Sequence, residues 1–326
     1  MPVPRPRILV TAPFDPHSIE QLRAFADVTV REPRMDGASL AEQNLGDALE
    51  KADVVIVELD RVDQATLDAA PELSLVVSCR AKPVTVDLAA CAARGVAVAT
   101  TPGRNADVTA DFTMALLLAT VRQLSRAESW MRSGEWTPSD VYEPYETFRG
   151  IGLTGRTLGV IGGGAIGSRV VQRARGFGMN VLVYDPFLGA DHFGDAARVV
   201  SLEEALSQSD IVSIHVPEIP QTLGMIGAEQ LALLKADAIL INAGRAAIID
   251  ETALMTVLRE RRIAAAGFDV FYEEPLPAGH ELFDMPHVTL TPHIAGASDD
   301  VVAGHSRIAV AAVTAWHSGE PVPHLA

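Results

Sequence analysis

Apolar positions fall into short β-branched runs separated by longer mixed stretches. Residues 7 to 11, 54 to 57, 74 to 78 and 96 to 99 read as buried parallel strands, apolar on both faces. Stretches near 17 to 26, 39 to 51, 64 to 69 and 87 to 94 carry helical spacing. Such alternation predicts βα units and a parallel sheet. Thr101-Pro-Gly103 breaks the pattern, and an apolar helix is expected from about 105 to 125. Residues 130 to 155, with Trp130, Trp136, Pro138 and Pro144, read as irregular. A second series opens at Thr157. Strands are expected at 157 to 161, 180 to 184, 198 to 200, 211 to 214, 238 to 242, 263 to 268 and 287 to 290, and a helix near 298 to 317 closes the chain. Asp53-Val-Val-Ile-Val and Asp210-Ile-Val-Ser-Ile open similar strands in the two halves. The fold class is α/β, with two doubly wound domains.

Composition narrows the function. At 326 residues the chain is long for one core. Lys and Arg total 26 against 42 Asp and Glu, a net charge of −16. That argues against nucleic-acid binding, which needs basic surface. No apolar run reaches membrane-spanning length, and Met1-Pro-Val-Pro4 lacks the features of a signal peptide. Cys79 and Cys91 suggest neither a disulfide framework nor a zinc site, and no metal is expected. A cytoplasmic protein is expected.

The clearest motif is Leu158-Gly-Val-Ile-Gly162-Gly-Gly164-Ala165-Ile166-Gly167. A strand runs into Gly-x-Gly-x-x-Gly and then a helix start. Gly162 permits the turn, Gly164 lets backbone approach a pyrophosphate, and Gly167 lets helix and strand pack closely. The helix start, with Ala165 and Ile166, offers free N–H groups. Asp185 ends the next strand, 18 residues beyond Gly167. A carboxylate there accepts from ribose hydroxyls and repels a 2′-phosphate, so NAD is the expected cofactor.

Reducing a ketone by hydride also requires a proton donor, a support for it and a cation for a substrate carboxylate. Candidates stand at three strand ends: Arg245 after Asn242-Ala243-Gly244, a carboxylate in Asp269-Val-Phe-Tyr-Glu-Glu274-Pro, and His293 after Thr291-Pro.

These motifs, with Asp210-Ile-Val-Ser-Ile-His215-Val-Pro217, resemble those of the D-isomer-specific 2-hydroxyacid dehydrogenase family along nearly the whole chain. The resemblance implies catalytic Arg245, Glu274 and His293, selecting Glu274 over Glu273 because it precedes the proline. It implies that Asp269 binds the nicotinamide amide, that His215 and Pro217 line its pocket, and that Ala243 and Gly244 give backbone contacts to the cofactor. It also implies a Rossmann NAD-binding domain, residues 102 to 293, inserted into a flavodoxin-like substrate domain of residues 1 to 101 and 294 to 326.

The family's substrate loop aligns with Ser78 to Asp87, making Arg80, Ala81 and Lys82 candidate substrate contacts with Asn105 beyond them. Arg80 and Lys82 favour a phosphorylated substrate of the 3-phosphoglycerate type slightly over glycerate, hydroxypyruvate or glyoxylate. Arg104 is a further candidate anion contact. Trp130 to Trp136 resembles a segment that family dimers exchange, so a homodimer is expected. The alternative is an NADH-binding, corepressor-like interaction protein of the same fold.

Overall fold

The computed structural model describes residues 5–34, 36–136 and 141–326. Met1-Pro-Val-Pro4 and Pro138 lie outside them. The chain forms two compact units, Met1–Asn105 with Ala297–Ala326, and Ala106–Gly296.

The first unit is built on strands β1 (Arg7–Val10), β2 (Asp27–Val30), β3 (Val54–Val57), β4 (Leu75–Ser78) and β5 (Ala97–Thr100). They pair in parallel in the order β2-β1-β3-β4-β5. Side chains alternate across the sheet, so each strand feeds two cores. Leu9, Val55, Val57 and Val76 join Leu49, Leu67 and Cys91 on one face. Ile8, Ile56, Leu75 and Val77 meet Leu22, Ala309, Ala312 and Val313 on the other. The last three belong to the closing helix Asp299–Ser318, capped by Ser298 and ended by Gly319 at φ +69°.

The second unit carries β6 (Thr157–Ile161), β7 (Asn180–Tyr184), β8 (Arg198–Val199), β9 (Ile211–Ile214), β10 (Ile239–Asn242), β11 (Ala265–Phe268) and β12 (Val288–Leu290). Its order is β12-β11-β10-β9-β6-β7-β8, all parallel. Direction of winding reverses beside β6, the switch point of a Rossmann sheet. The buried helix Ala106–Val121 packs on this sheet.

Three local expectations need correction. β2 gave no apolar run because it is an edge strand with exposed Asp27 and Val30. The helix expected from 39 to 51 is a 3-10 turn, Leu40–Glu42, and a short helix, Asp47–Glu50, separated at Gly46 with φ +50°. The helix expected to 125 stops at Val121, since Gln123 is left-handed, and a second helix, Leu124–Arg132, follows. Among the described residues no helix is long and apolar enough to cross a membrane.

The similar strand openings share one device. Asp53 accepts the Arg7 N–H at 2.7 Å, and Asp210 accepts the Thr157 N–H at 2.8 Å. Each aspartate satisfies the first residue of the neighbouring central strand. Arg7 and Lys235 complete the respective pairs.

Candidate active site

Helices in both units begin under side-chain caps. Asp63, Asp87, Ser201 and Asp250 each accept a first-turn N–H. The helix Ala165–Gly176 begins instead at Gly164, which has no side chain to accept one. The N–H groups of Ala165 and Ile166 therefore lack partners within the helix and carry its positive dipole. A Cβ on Gly164 would meet nothing within 4 Å, so that face is open to an anion. Gly162 sits at φ +103°, and a Cβ there would lie 2.7 Å from Val216 N. A Cβ on Gly167 would lie 1.9 Å from Gly162 O, so only glycine fits.

Asp185 follows β7 and is half-buried. One carboxylate oxygen accepts the Gly163 N–H at 2.9 Å and the other the Phe187 N–H at 3.0 Å. The acid is thus fixed against the glycine loop. These residues fit the pyrophosphate and ribose of a dinucleotide.

His215 follows β9, and its Nε2 lies 2.8 Å from Ser213 Oγ. Burial pulls its imidazole down to about 4, keeping it neutral. Thr222 Oγ1 donates to Pro217 O at 2.6 Å and fixes that loop.

After β10, the Asn242 amide folds the next turn. Its oxygen accepts the Gly244 N–H at 3.0 Å and its nitrogen donates to Arg245 O at 2.9 Å. Arg245 is left exposed, with Nη1 donating to Gly244 O at 2.7 Å. Ala243 is buried in the core, and the Gly244 N–H is engaged by Asn242.

Glu274 and His293 meet. Glu274 Oε2 lies 2.7 Å from His293 Nδ1, and Oε1 accepts the Phe271 N–H at 2.9 Å. His293 Nε2 has no partner among the described residues. Burial raises the Glu274 carboxyl, but the His293 hydrogen bond, the Phe271 N–H and the His293 and Arg245 charges outweigh it, holding it below the usual range. Glu274 is therefore a carboxylate near neutral pH. His293 itself is left-handed, at φ +54°, which costs an ordinary residue roughly 1–2 kcal/mol.

Asp269 is fully buried, and its carboxylate accepts three hydrogen bonds within the chain: Thr291 Oγ1 at 2.6 Å, Ile294 N at 2.9 Å and Ala295 N at 2.8 Å. All come from the turn that carries His293.

The loop candidates belong to the first unit. Arg80 is half-buried after β4, and its carbonyl accepts the Thr101 N–H at 3.0 Å. Ala81 and Lys82 are exposed, and Asn105 is half-buried. Arg104, read as an anion contact, is already committed. Its Nη1 donates to Glu58 at 2.6 Å and lies 3.0 Å from His305 Nδ1. A guanidinium cannot accept, so His305 Nδ1 accepts and Nε2–H donates to Pro13 O at 2.7 Å.

Residues 114–295 match the family model described as D-isomer specific 2-hydroxyacid dehydrogenase, NAD binding domain. The chain belongs to the D-isomer-specific 2-hydroxyacid dehydrogenase family. It is 36% identical to the glyoxylate reductase of Thermococcus litoralis, over 98% of this chain and 96% of that one. A solved protein from Thermus thermophilus is 34% identical, with TM-score 0.78, over 98% of this chain and 99% of that one. The NADPH-dependent glyoxylate/hydroxypyruvate reductase of Sinorhizobium meliloti, in complex with citrate, is 31% identical with TM-score 0.76, over 99% and 98%. The chain is thus a nicotinamide-dependent 2-hydroxyacid oxidoreductase with two α/β domains. Asn242 and Thr291 gave no sign of their supporting roles in sequence, since hydrogen bonds within a turn leave no periodicity.

Proposed function

We propose that this dehydrogenase reduces small, unphosphorylated 2-keto acids of the glyoxylate and hydroxypyruvate kind to D-2-hydroxy acids with NADH. The Glu274–His293 pair carries the reading, because it joins a proton donor to the carboxylate that orients it. When bound, the reduced nicotinamide supplies hydride to the keto carbon. Arg245 holds the substrate carboxylate in bidentate fashion and polarises the keto oxygen. His293 delivers a proton from Nε2 to that oxygen. Glu274 keeps Nδ1 protonated and stabilises the imidazolium. His215, neutral beside Pro217, adds an uncharged wall to the nicotinamide site.

Two considerations favour a small acid over the phosphorylated one suggested by Arg80 and Lys82. Relatives similar over nearly their full lengths are named glyoxylate reductases. Arg104 has its charge met by Glu58. Arg80 remains the loop's candidate for a substrate carboxylate, and exposed Lys82 is assigned to solvent.

NADH is the proposed cofactor because the Asp185 carboxylate would repel a 2′-phosphate, and residues 186 to 197 contain no Lys or Arg to receive one. The unit Ala106–Gly296 is assigned to NAD, and the other unit to substrate. A homodimer is proposed from the segment after residue 123, where Leu124, Met131, Trp136, Val141, Tyr142 and Tyr145 are all exposed. Trp130 instead packs edge-on against Phe148, at 5.4 Å.

The direct test is His293→Ala. Turnover of glyoxylate should fall by about 10²–10⁴-fold while NADH binding, read by fluorescence, is kept. Unchanged turnover would remove His293 from this role. Sedimentation of the wild type should give twice the 34.7 kDa chain mass; a monomer would refute the dimer.

A further inference from the structure

We infer that Arg104, joined to Glu58 and His305, is a positioning residue that clamps the loop after β4 in the form that meets the substrate. The inference rests on the reading above that Arg80, on that loop, takes the substrate carboxylate.

The clamp follows from strand order. β4 lies between β3 and β5. Glu58 directly follows β3, and Arg104 comes shortly after β5. Their contact, at 2.6 Å, therefore bridges the end of β4, where Cys79 and Arg80 open the loop. The same segment holds the loop's backbone, since the Thr101 N–H donates to Arg80 O. His305, on the closing helix, anchors the guanidinium from another side. Its Nδ1 accepts from Arg104 Nη1 at 3.0 Å, and its Nε2–H donates to Pro13 O beyond β1. Both hydrogens of Nη1 are thus used. A Cβ on Gly304 would lie 2.6 Å from Arg104 O, so the helix also packs directly on the Arg104 backbone.

Burial makes these contacts costly to lose. His305 is 0% exposed, and the Arg104 and Glu58 side chains are 19% and 15% exposed. Removing one member of such a pair leaves the other charge buried and unpaired. A guanidinium only donates, so the clamp requires a neutral His305 with its proton on Nε2. A proton on Nδ1 would set donor against donor. Burial lowers the His305 titration most, and the Arg104 charge adds to it; the Pro13 carbonyl and Glu58 oppose them without prevailing. His305 is therefore neutral near neutral pH and gains a proton only as pH falls below the ordinary value of about 6.5. Other neighbours add no titrating charge there. The Asp15 carboxylate is turned to Ser18, Phe14 presents a ring, and burial keeps the Cys79 thiol protonated.

Arg104→Met should raise KM for glyoxylate by about tenfold, with kcat and NADH affinity near wild type. The double variant Glu58→Gln/Arg104→Met leaves no buried charge unpaired and should give the same split. His305→Asn sets an amide oxygen near the place of Nδ1, which accepts from Arg104 and cannot take a proton. Wild-type KM should climb as pH falls from about 7 to about 5, whereas KM of His305→Asn should stay level. Two readouts need no substrate. Ring nitrogen NMR shifts should place the His305 proton on Nε2, and the Thr101 N–H should exchange faster in Arg104→Met than in wild type.

Wild-type KM in both Arg104 variants, or parallel KM profiles for wild type and His305→Asn, would overturn the inference. So would a His305 proton on Nδ1, or an unchanged Thr101 exchange rate. Absence of turnover by the wild type on every 2-keto acid would refute the proposed substrate class alone; the ring shifts and Thr101 exchange would still decide the clamp.

Discussion

Glu274 works through two oxygens with separate tasks, one held by the Phe271 N–H and one turned to His293. Replacing it with Gln keeps the shape and removes the charge. Glu274→Gln should therefore lower kcat by about 10²-fold or more with NADH affinity retained, as read by steady-state rates and fluorescence titration. Asp185→Ser removes the charge expected to oppose a 2′-phosphate, so the kcat/KM ratio of NADPH to NADH should rise; an unchanged ratio would contradict the cofactor assignment. His215 gives a pH prediction. Its folded value, about 4, lies below the ordinary 6.5, so the unfolded chain binds the proton first as pH falls. The stabilisation is full above about 6.5 and is lost as pH falls through about 4. Thermal midpoints should decline between those limits, and His215→Gln should flatten part of the decline.

At the level of elements, the glycine loop and the strand openings carry the fold. Gly167→Ala forces a Cβ onto Gly162 O, so calorimetry should find NADH binding abolished. Binding near wild type would mean that the loop adapts. Asp210→Ala strips the Thr157 N–H and Lys235 of their acceptor and should destabilise the chain by about 1–3 kcal/mol in urea unfolding. The strands of both central sheets were legible because burial on both faces makes them continuous apolar runs. The edge strand β2 was not, since Asp27 and Val30 face solvent. Gly46 and Gln123 broke expected helices through backbone conformation, which apolar spacing does not report. In the site, His293 was legible as a residue type at a strand end, whereas Glu274 was singled out from its neighbouring carboxylates only by the family resemblance. The contacts of Asp269 and Arg104 were not, because both depend on partners brought together only by folding: Thr291 to Ala295 for one, Glu58 and His305 for the other.

Across the whole molecule, an acidic protein must attract anions. Its charge of −16 repels them at long range, so binding relies on local donors: a bare helix start for the pyrophosphate and Arg245 for a carboxylate. A singly charged keto acid meets less of that repulsion than a phosphorylated one. KM for 3-phosphohydroxypyruvate should accordingly depend more steeply on salt than KM for glyoxylate. The central claim is most directly tested by the rate of NADH oxidation with glyoxylate, hydroxypyruvate and 3-phosphohydroxypyruvate side by side. The account predicts turnover with the first two and a lower kcat/KM with the third. Preference for the phosphorylated acid, or no turnover with any of the three, would contradict it.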